Sequence, residues 1–62
     1  MKWKHTRPDE WVSRPFFIRR SAAGYSLWLS DGSDFGKFLV GALPSLAEAK
    51  RIAAIEEGAR HV

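Results

Sequence analysis

A helix-start signal that directly follows an aromatic, strand-like stretch constrains the fold of this chain most strongly. Ser45 can accept a hydrogen bond from the amide of Glu48, and the Glu48 side chain can reach back to the Ser45 amide, as in a capping box. The pattern predicts a helix from Leu46 to about Glu57, with Gly58 placed for a left-handed C-terminal cap. A sheet must therefore precede a single C-terminal helix.

Three strands are predicted before this helix, each bounded by turn residues. The first spans residues 15–20 and the second residues 25–30, where apolar and small polar residues largely alternate. Asp31-Gly32 is a strong hairpin signal, and the third strand spans residues 37–42. Residues 1–10 are interpreted as a basic N-terminal arm that could add a short fourth strand. We expect an α+β domain over residues 11–62, a three- or four-stranded antiparallel meander with one helix packed on one face.

Composition excludes several kinds of site. The chain has 62 residues and no cysteine, so a disulfide or a thiolate metal site is not available to it. His5 and His61 lack ligand spacing to another His, and no Ser has a His and an Asp in a constrained neighbourhood. We expect no metal, no cofactor and no enzymatic activity. No apolar run reaches the roughly 18 residues of a membrane span, which leads us to expect a cytoplasmic protein without a membrane partner.

The net charge of +3 is concentrated near the N-terminus. Residues 1–20 contain six basic and two acidic side chains, whereas residues 45–62 are balanced. A basic N-terminal part and a neutral C-terminal part suggest an anionic partner, although the same charges also serve ordinary solubility.

Strand alternation divides the predicted sheet into two faces, of which one helix can cover only one. The residues predicted to face the helix are Phe16, Ile18, Tyr25, Leu27, Leu29, Phe38 and Val40. The residues predicted to face away are Phe17, Arg19, Ser26, Trp28, Ser30, Lys37 and Leu39. An exposed apolar patch on a small domain usually marks an interface.

Three interpretations of the face opposite the helix remain open. The first is nucleic-acid binding by this face and the arm, with Lys2, Lys4, Arg7, Arg14, Arg19, Trp28 and Lys37 as candidate residues. The second is a protein interface, with a partner or in a homodimer, anchored on Phe17, Trp28 and Leu39. The third is structural: Trp3 and Trp11 fold over Trp28 and complete a second small core.

Residues 25–54 resemble a known DNA-binding architecture. The run Gly41-Ala42-Leu43-Pro44-Ser45-Leu46-Ala47-Glu48-Ala49 is similar in layout to the last strand and helix opening of plant ethylene-response-type transcription factors and of the N-terminal arm-binding domains of tyrosine recombinases. Small phage proteins of unknown role look similar as well. In the DNA-binding families, three antiparallel strands pack on one helix and the opposite sheet face enters the major groove. The resemblance implies a small accessory protein of phage or mobile-element type that binds duplex DNA, and this is the leading hypothesis.

Overall fold

The computed structural model describes residues 2–30 and 36–60, which form an antiparallel sheet followed by one helix. The strands are β1 (Lys4–Arg7), β2 (Glu10–Ser13), β3 (Phe16–Ser21), β4 (Gly24–Leu29) and β5 (Lys37–Leu43), and the helix is α1 (Leu46–Arg60). The strands pair in chain order, as in a meander. The α+β class is confirmed, but the sheet has five strands instead of three or four. Among the described residues, no helix is long and apolar enough to span a membrane.

The two additional strands come from the N-terminal part of the chain. Strand β1 lies within the segment interpreted as an arm, and it pairs with β2 through Lys4 opposite Val12 and His5 opposite Trp11. Strand β1 is exposed along its whole length and carries no large apolar side chain, so apolar alternation could not indicate it. Charged, short edge strands of this kind protect a sheet from pairing with other chains.

The core lies between the sheet and α1. Its buried side chains are Phe16, Ile18, Leu27, Leu29, Leu43, Ala49 and Ala53. Ala49 and Ala53 are fully buried, and their small size lets α1 lie close to β3, β4 and β5. Trp3 and Trp11 pack against this same cluster, on the helix side of the sheet. The interpretation in which these two side chains cover Trp28 is therefore wrong.

Helix α1 begins at Leu46 as predicted but ends later. The amide of Glu48 donates to Ser45 Oγ at 3.2 Å, whereas the Glu48 carboxylate pairs with Arg51 and not with the Ser45 amide, so only half of the capping box forms. The helix continues through Gly58, which lacks the positive φ that a left-handed cap requires. The predicted cap at Gly58 is wrong because the chain beyond it remains helical.

A β-bulge in β5 exchanges the faces of two predicted residues. Leu27 pairs with Val40 while the next residue, Trp28, pairs with Phe38, so β5 contains an extra residue, Leu39, between these pairs. Phe38 therefore shares the face of Trp28, opposite to the prediction. Leu39 packs against the core instead of lying on the face away from the helix. The predicted alternation of faces fails in β5, because a bulge moves the residues beyond it to the opposite face of the sheet.

The same bulge moves Lys37 to the helix side of the sheet. Lys37 pairs with Leu29, whose side chain is in the core, and directly opposed residues on antiparallel strands share a face. The prediction that Lys37 lies on the same face as Trp28 is therefore wrong. The Asp31-Gly32 turn that connects β4 to β5 lies outside the described residues.

Candidate ligand-binding face of the sheet

The sheet face opposite α1, called the free face below, carries a continuous row of residues across all five strands. The paired positions run from Lys4 on β1 through Val12, Phe17 and Trp28 to Phe38 on β5. A second row, of polar residues, lies two residues further along the strands on the same face. In it Glu10 is opposite Arg19, and Arg19 is opposite Ser26. The rings of Phe17, Trp28 and Phe38 are called the aromatic row.

The rings of the aromatic row contact one another. Phe17 and Trp28 are stacked, with centroids 6.0 Å apart and planes 7° apart. Trp28 and Phe38 meet edge to face, with centroids 5.2 Å apart and planes 72° apart. Phe38 remains 54% exposed. Its ring lies over Gly41, where an added Cβ would come within 2.8 Å of it. The row therefore ends in one open ring beside two half-buried ones.

Arg19 is held against this row. Its guanidinium carbon lies 5.0 Å from the Phe17 centroid and 5.7 Å from the Trp28 centroid, within the range of cation–π attraction. Arg19 Nε donates to Glu10 Oε2 at 3.2 Å, and Thr6 Oγ1 donates to the other Glu10 oxygen at 3.3 Å. The charge of Arg19 is therefore partly balanced on the free face, and its plane is positioned beside two rings.

The indole N–H of Trp28 is buried and has no acceptor among the described residues. A buried donor without a partner destabilises a fold by about 1–3 kcal/mol. The neighbouring rings and Arg19 offer it no oxygen, because all three of those groups are apolar or donors. The indole of Trp28 is therefore surrounded on the free face by two rings and a guanidinium.

Arg20 lies on the opposite side of the sheet from Arg19, as strand alternation predicts. Its Nε and Nη2 donate to Asp9 Oδ1 at 2.9 and 2.7 Å, and its guanidinium lies 6.0 Å from the Trp11 centroid. The hydrogen bonds that Arg20 donates to the Asp9 carboxylate raise the pKa of Arg20, and a hydrogen bond with Tyr25 adds to this effect. The two adjacent arginines therefore form two separate contacts and not one basic patch.

On the sheet and its flanking turns, the basic residues that form no ion pair with another described residue lie at two opposite ends. Lys4 begins β1, Arg14 lies in the β2–β3 turn and Lys2 precedes β1, so these three share the end nearest the aromatic row. All three are exposed. Lys37 reaches the same end from the helix side. The three residues Lys2, Lys4 and Arg14, without Lys37, are called the basic end.

Arg7 lies at the other end of the sheet. It lines an open depression of about 330 Å³ together with Pro8, Asp9, Glu10, Arg19 and Arg20. The two acidic residues there already pair with Arg19 and Arg20. The structure thus separates Arg7 from the basic end and places it near Arg19.

The sequence does not predict the positions of Phe38 and Glu10 on the free face. Strand alternation predicts Phe38 on the helix side, and only the bulge brings it next to Trp28. The sequence pattern predicts Glu10 in the arm, and only the pairing of β2 with β3 places it opposite Arg19. No local sequence signal marks either position, because both depend on strand register.

The described residues include no group of three His, Asp or Glu side chains that could hold a metal ion. His5 stacks on Trp11, with centroids 4.7 Å apart and planes 8° apart, and its Nε2 lies 3.2 Å from the Pro8 carbonyl oxygen. These contacts give His5 a packing role at the sheet edge. His61 lies outside the described residues.

Comparison of the chain with protein-family models, with curated proteins and with solved structures finds no match.

Proposed function

We propose that this protein is a small, non-enzymatic nucleic-acid-binding protein that uses the free face and the basic end. The observation that carries this proposal is that the aromatic row shares one face of the sheet with exposed cations. Phe38 offers an open ring, and Lys4 continues the same row on β1. Nucleic acids present both features that such a surface recognises, the π-faces of bases and a chain of phosphates.

Phosphate contacts are assigned to Lys2, Lys4 and Arg14. These side chains are exposed and form no ion pair with another described residue, so no internal contact has to be broken when they bind an anion. Each neutralised phosphate contributes about −0.7 to −0.9 to the slope of log affinity against log salt. Three contacts correspond to a slope of about −2 to −3.

Arg19 has a different role in this proposal. Glu10 balances much of its charge, and its guanidinium lies against two rings. It therefore supplies a planar group for stacking and hydrogen bonding near the bases, while the lysines supply the charge. Removal of the Glu10 carboxylate should release the charge of Arg19 and strengthen phosphate attraction.

Fluorescence anisotropy with labelled single- and double-stranded oligonucleotides, at salt concentrations starting from about 50 mM, tests the proposal. We expect Lys4→Gln to weaken binding and to make the slope of log affinity against log salt less steep by about one unit. Glu10→Gln should strengthen binding and make that slope steeper. Lys50→Gln on α1 is the matched control and should leave affinity nearly unchanged. No binding of either form of nucleic acid at about 50 mM salt would contradict the proposal.

A protein interface on the same face is a second candidate function, and the exposure of Phe38 specifically favours it. An aromatic ring that is 54% exposed next to a half-buried Trp28 is typical of the anchors that dominate protein interfaces. The anchor set becomes Phe17, Trp28 and Phe38, because Leu39 packs against the core. Light scattering after size exclusion separates the two candidates: a dimer that Phe38→Glu converts to a monomer, without nucleic-acid binding, would favour the interface.

A further inference from the structure

The geometry points to a single-stranded nucleic acid, and not a duplex, as the ligand of the free face. This inference rests on the proposed function and specifies its substrate class. Three features of the sheet support it: its width, the exposure of the aromatic row, and the order in which charged, aromatic and polar residues follow one another along the strands.

The width of the sheet argues against docking in a groove. Neighbouring strands lie about 4.8 Å apart, so the outer strands of a five-stranded sheet are about 19 Å apart. The major groove of duplex DNA is about 12 Å wide and admits a helix or a two-stranded ribbon. A row that ends in Lys4 on one outer strand and in Phe38 on the other cannot lie across the floor of that groove.

The aromatic row suits bases that are free to stack. In a duplex each base face is covered by its neighbours, whereas a single strand can place its base faces on protein rings. Phe38 is more than half exposed and lies at one side of the row, where a base can reach it without displacing Trp28. Stacking of this kind is tolerant of sequence, because every base has a π-face.

The order of residues along the strands matches the parts of a nucleotide. Arg14 comes first, in the turn that precedes β3, and Lys4 of the basic end lies level with the rings. The aromatic row follows, and the polar row with Glu10 and Arg19 lies beyond it. Phosphates at the basic end would place bases on the rings and base edges toward the polar row. The Arg19–Glu10 ion pair leaves the polar row with little net charge, so phosphates are favoured at the basic end instead.

Competition between a thymidine oligonucleotide of about 12 residues and a duplex of the same length tests the inference. We expect the single strand to bind about 10-fold more tightly, and Phe38→Ala to weaken single-strand binding about 10-fold, a loss typical for one stacked base. Phe38→Tyr should retain single-strand affinity because it keeps the ring. Ile55→Ala is the matched control, since Ile55 is 58% exposed but lies on α1.

The outcomes separate this inference from the proposed function. If the duplex binds as tightly as the single strand, or if Phe38→Ala leaves single-strand affinity unchanged, the inference is overturned while nucleic-acid binding stands. If neither form binds, the proposed function itself fails. Thermal unfolding of Phe38→Ala and Ile55→Ala confirms that both variants are folded before affinities are compared.

Discussion

Phe17 and Trp28 lie directly opposite each other on β3 and β4, with ring planes 7° apart and centroids 6.0 Å apart. The guanidinium of Arg19 lies near both rings, and Phe38 closes the far side of Trp28. The free face therefore has an ordered aromatic centre although no helix covers it. Such an arrangement holds its rings in place before a ligand binds, which lowers the cost of ordering side chains on binding.

Gly58→Ala should stabilise the protein by about 0.5–1 kcal/mol. Gly58 is within α1, its φ is not positive, and an added Cβ would meet nothing within 4 Å. Alanine loses less conformational entropy than glycine when a helix forms. Urea unfolding measures the difference. A loss of stability would indicate that Gly58 has the left-handed conformation of a helix cap.

Gly24→Ala should destabilise the protein by about 1–3 kcal/mol, and by more than Gly41→Ala. Gly24 has a φ of +124°, and an added Cβ would lie 2.7 Å from the Leu43 carbonyl oxygen, which belongs to the backbone. At Gly41 the clash is with the ring of Phe38, which is exposed and can move. Gly41→Ala should therefore perturb nucleic-acid binding more than folding. Equal stabilities of the two variants would contradict this assignment.

Leu27→Ala should destabilise the fold by about 2–5 kcal/mol, because it leaves a cavity in the centre of the core. Leu27 is fully buried between β3, β5 and α1. Phe38→Ala on the free face should cost less than this, since Phe38 is largely exposed in the unliganded protein. Chemical unfolding of both variants gives the comparison. A larger loss for Phe38→Ala would mean that the free face is part of the folding core.

Glu48→Gln should remove part of the pH dependence of stability in acid. The Arg51 guanidinium lowers the pKa of the Glu48 carboxyl below its ordinary value. This contribution is fully present above the ordinary carboxyl pKa of about 4.3 and is lost as the pH falls through the lower pKa of the folded state. The difference in Tm between wild type and Glu48→Gln should therefore shrink as the pH falls below about 4.3. Glu56→Gln on the same helix is the control.

Several features of the fold were predictable because they depend on local chemistry. The hydrogen bond from Glu48 to Ser45 follows from capping geometry, and α1 starts where this signal places it. The burial of Phe16 and Ile18 on β3 follows from strand alternation. The separation of Arg19 from Arg20 follows from the same rule.

Other features depend on register and could not be read from local patterns. Strand β1 has no apolar alternation, so only its pairing with β2 makes it a strand. Phe38 and Leu39 exchange faces because of one bulge, and this exchange changes both candidate sites. Trp11 packs toward the helix because it pairs with Ile18, which the isolated sequence does not reveal.

The most direct test of the binding surface is a series of ¹H–¹⁵N NMR spectra recorded while a single-stranded thymidine oligonucleotide is added. We expect the largest shift changes at Phe17, Trp28 (its indole N–H included) and Phe38, with small changes at Arg51 and Ile55 on α1. Changes centred on α1, or none at all at about 50 mM salt, would contradict the assignment of nucleic-acid binding to the free face.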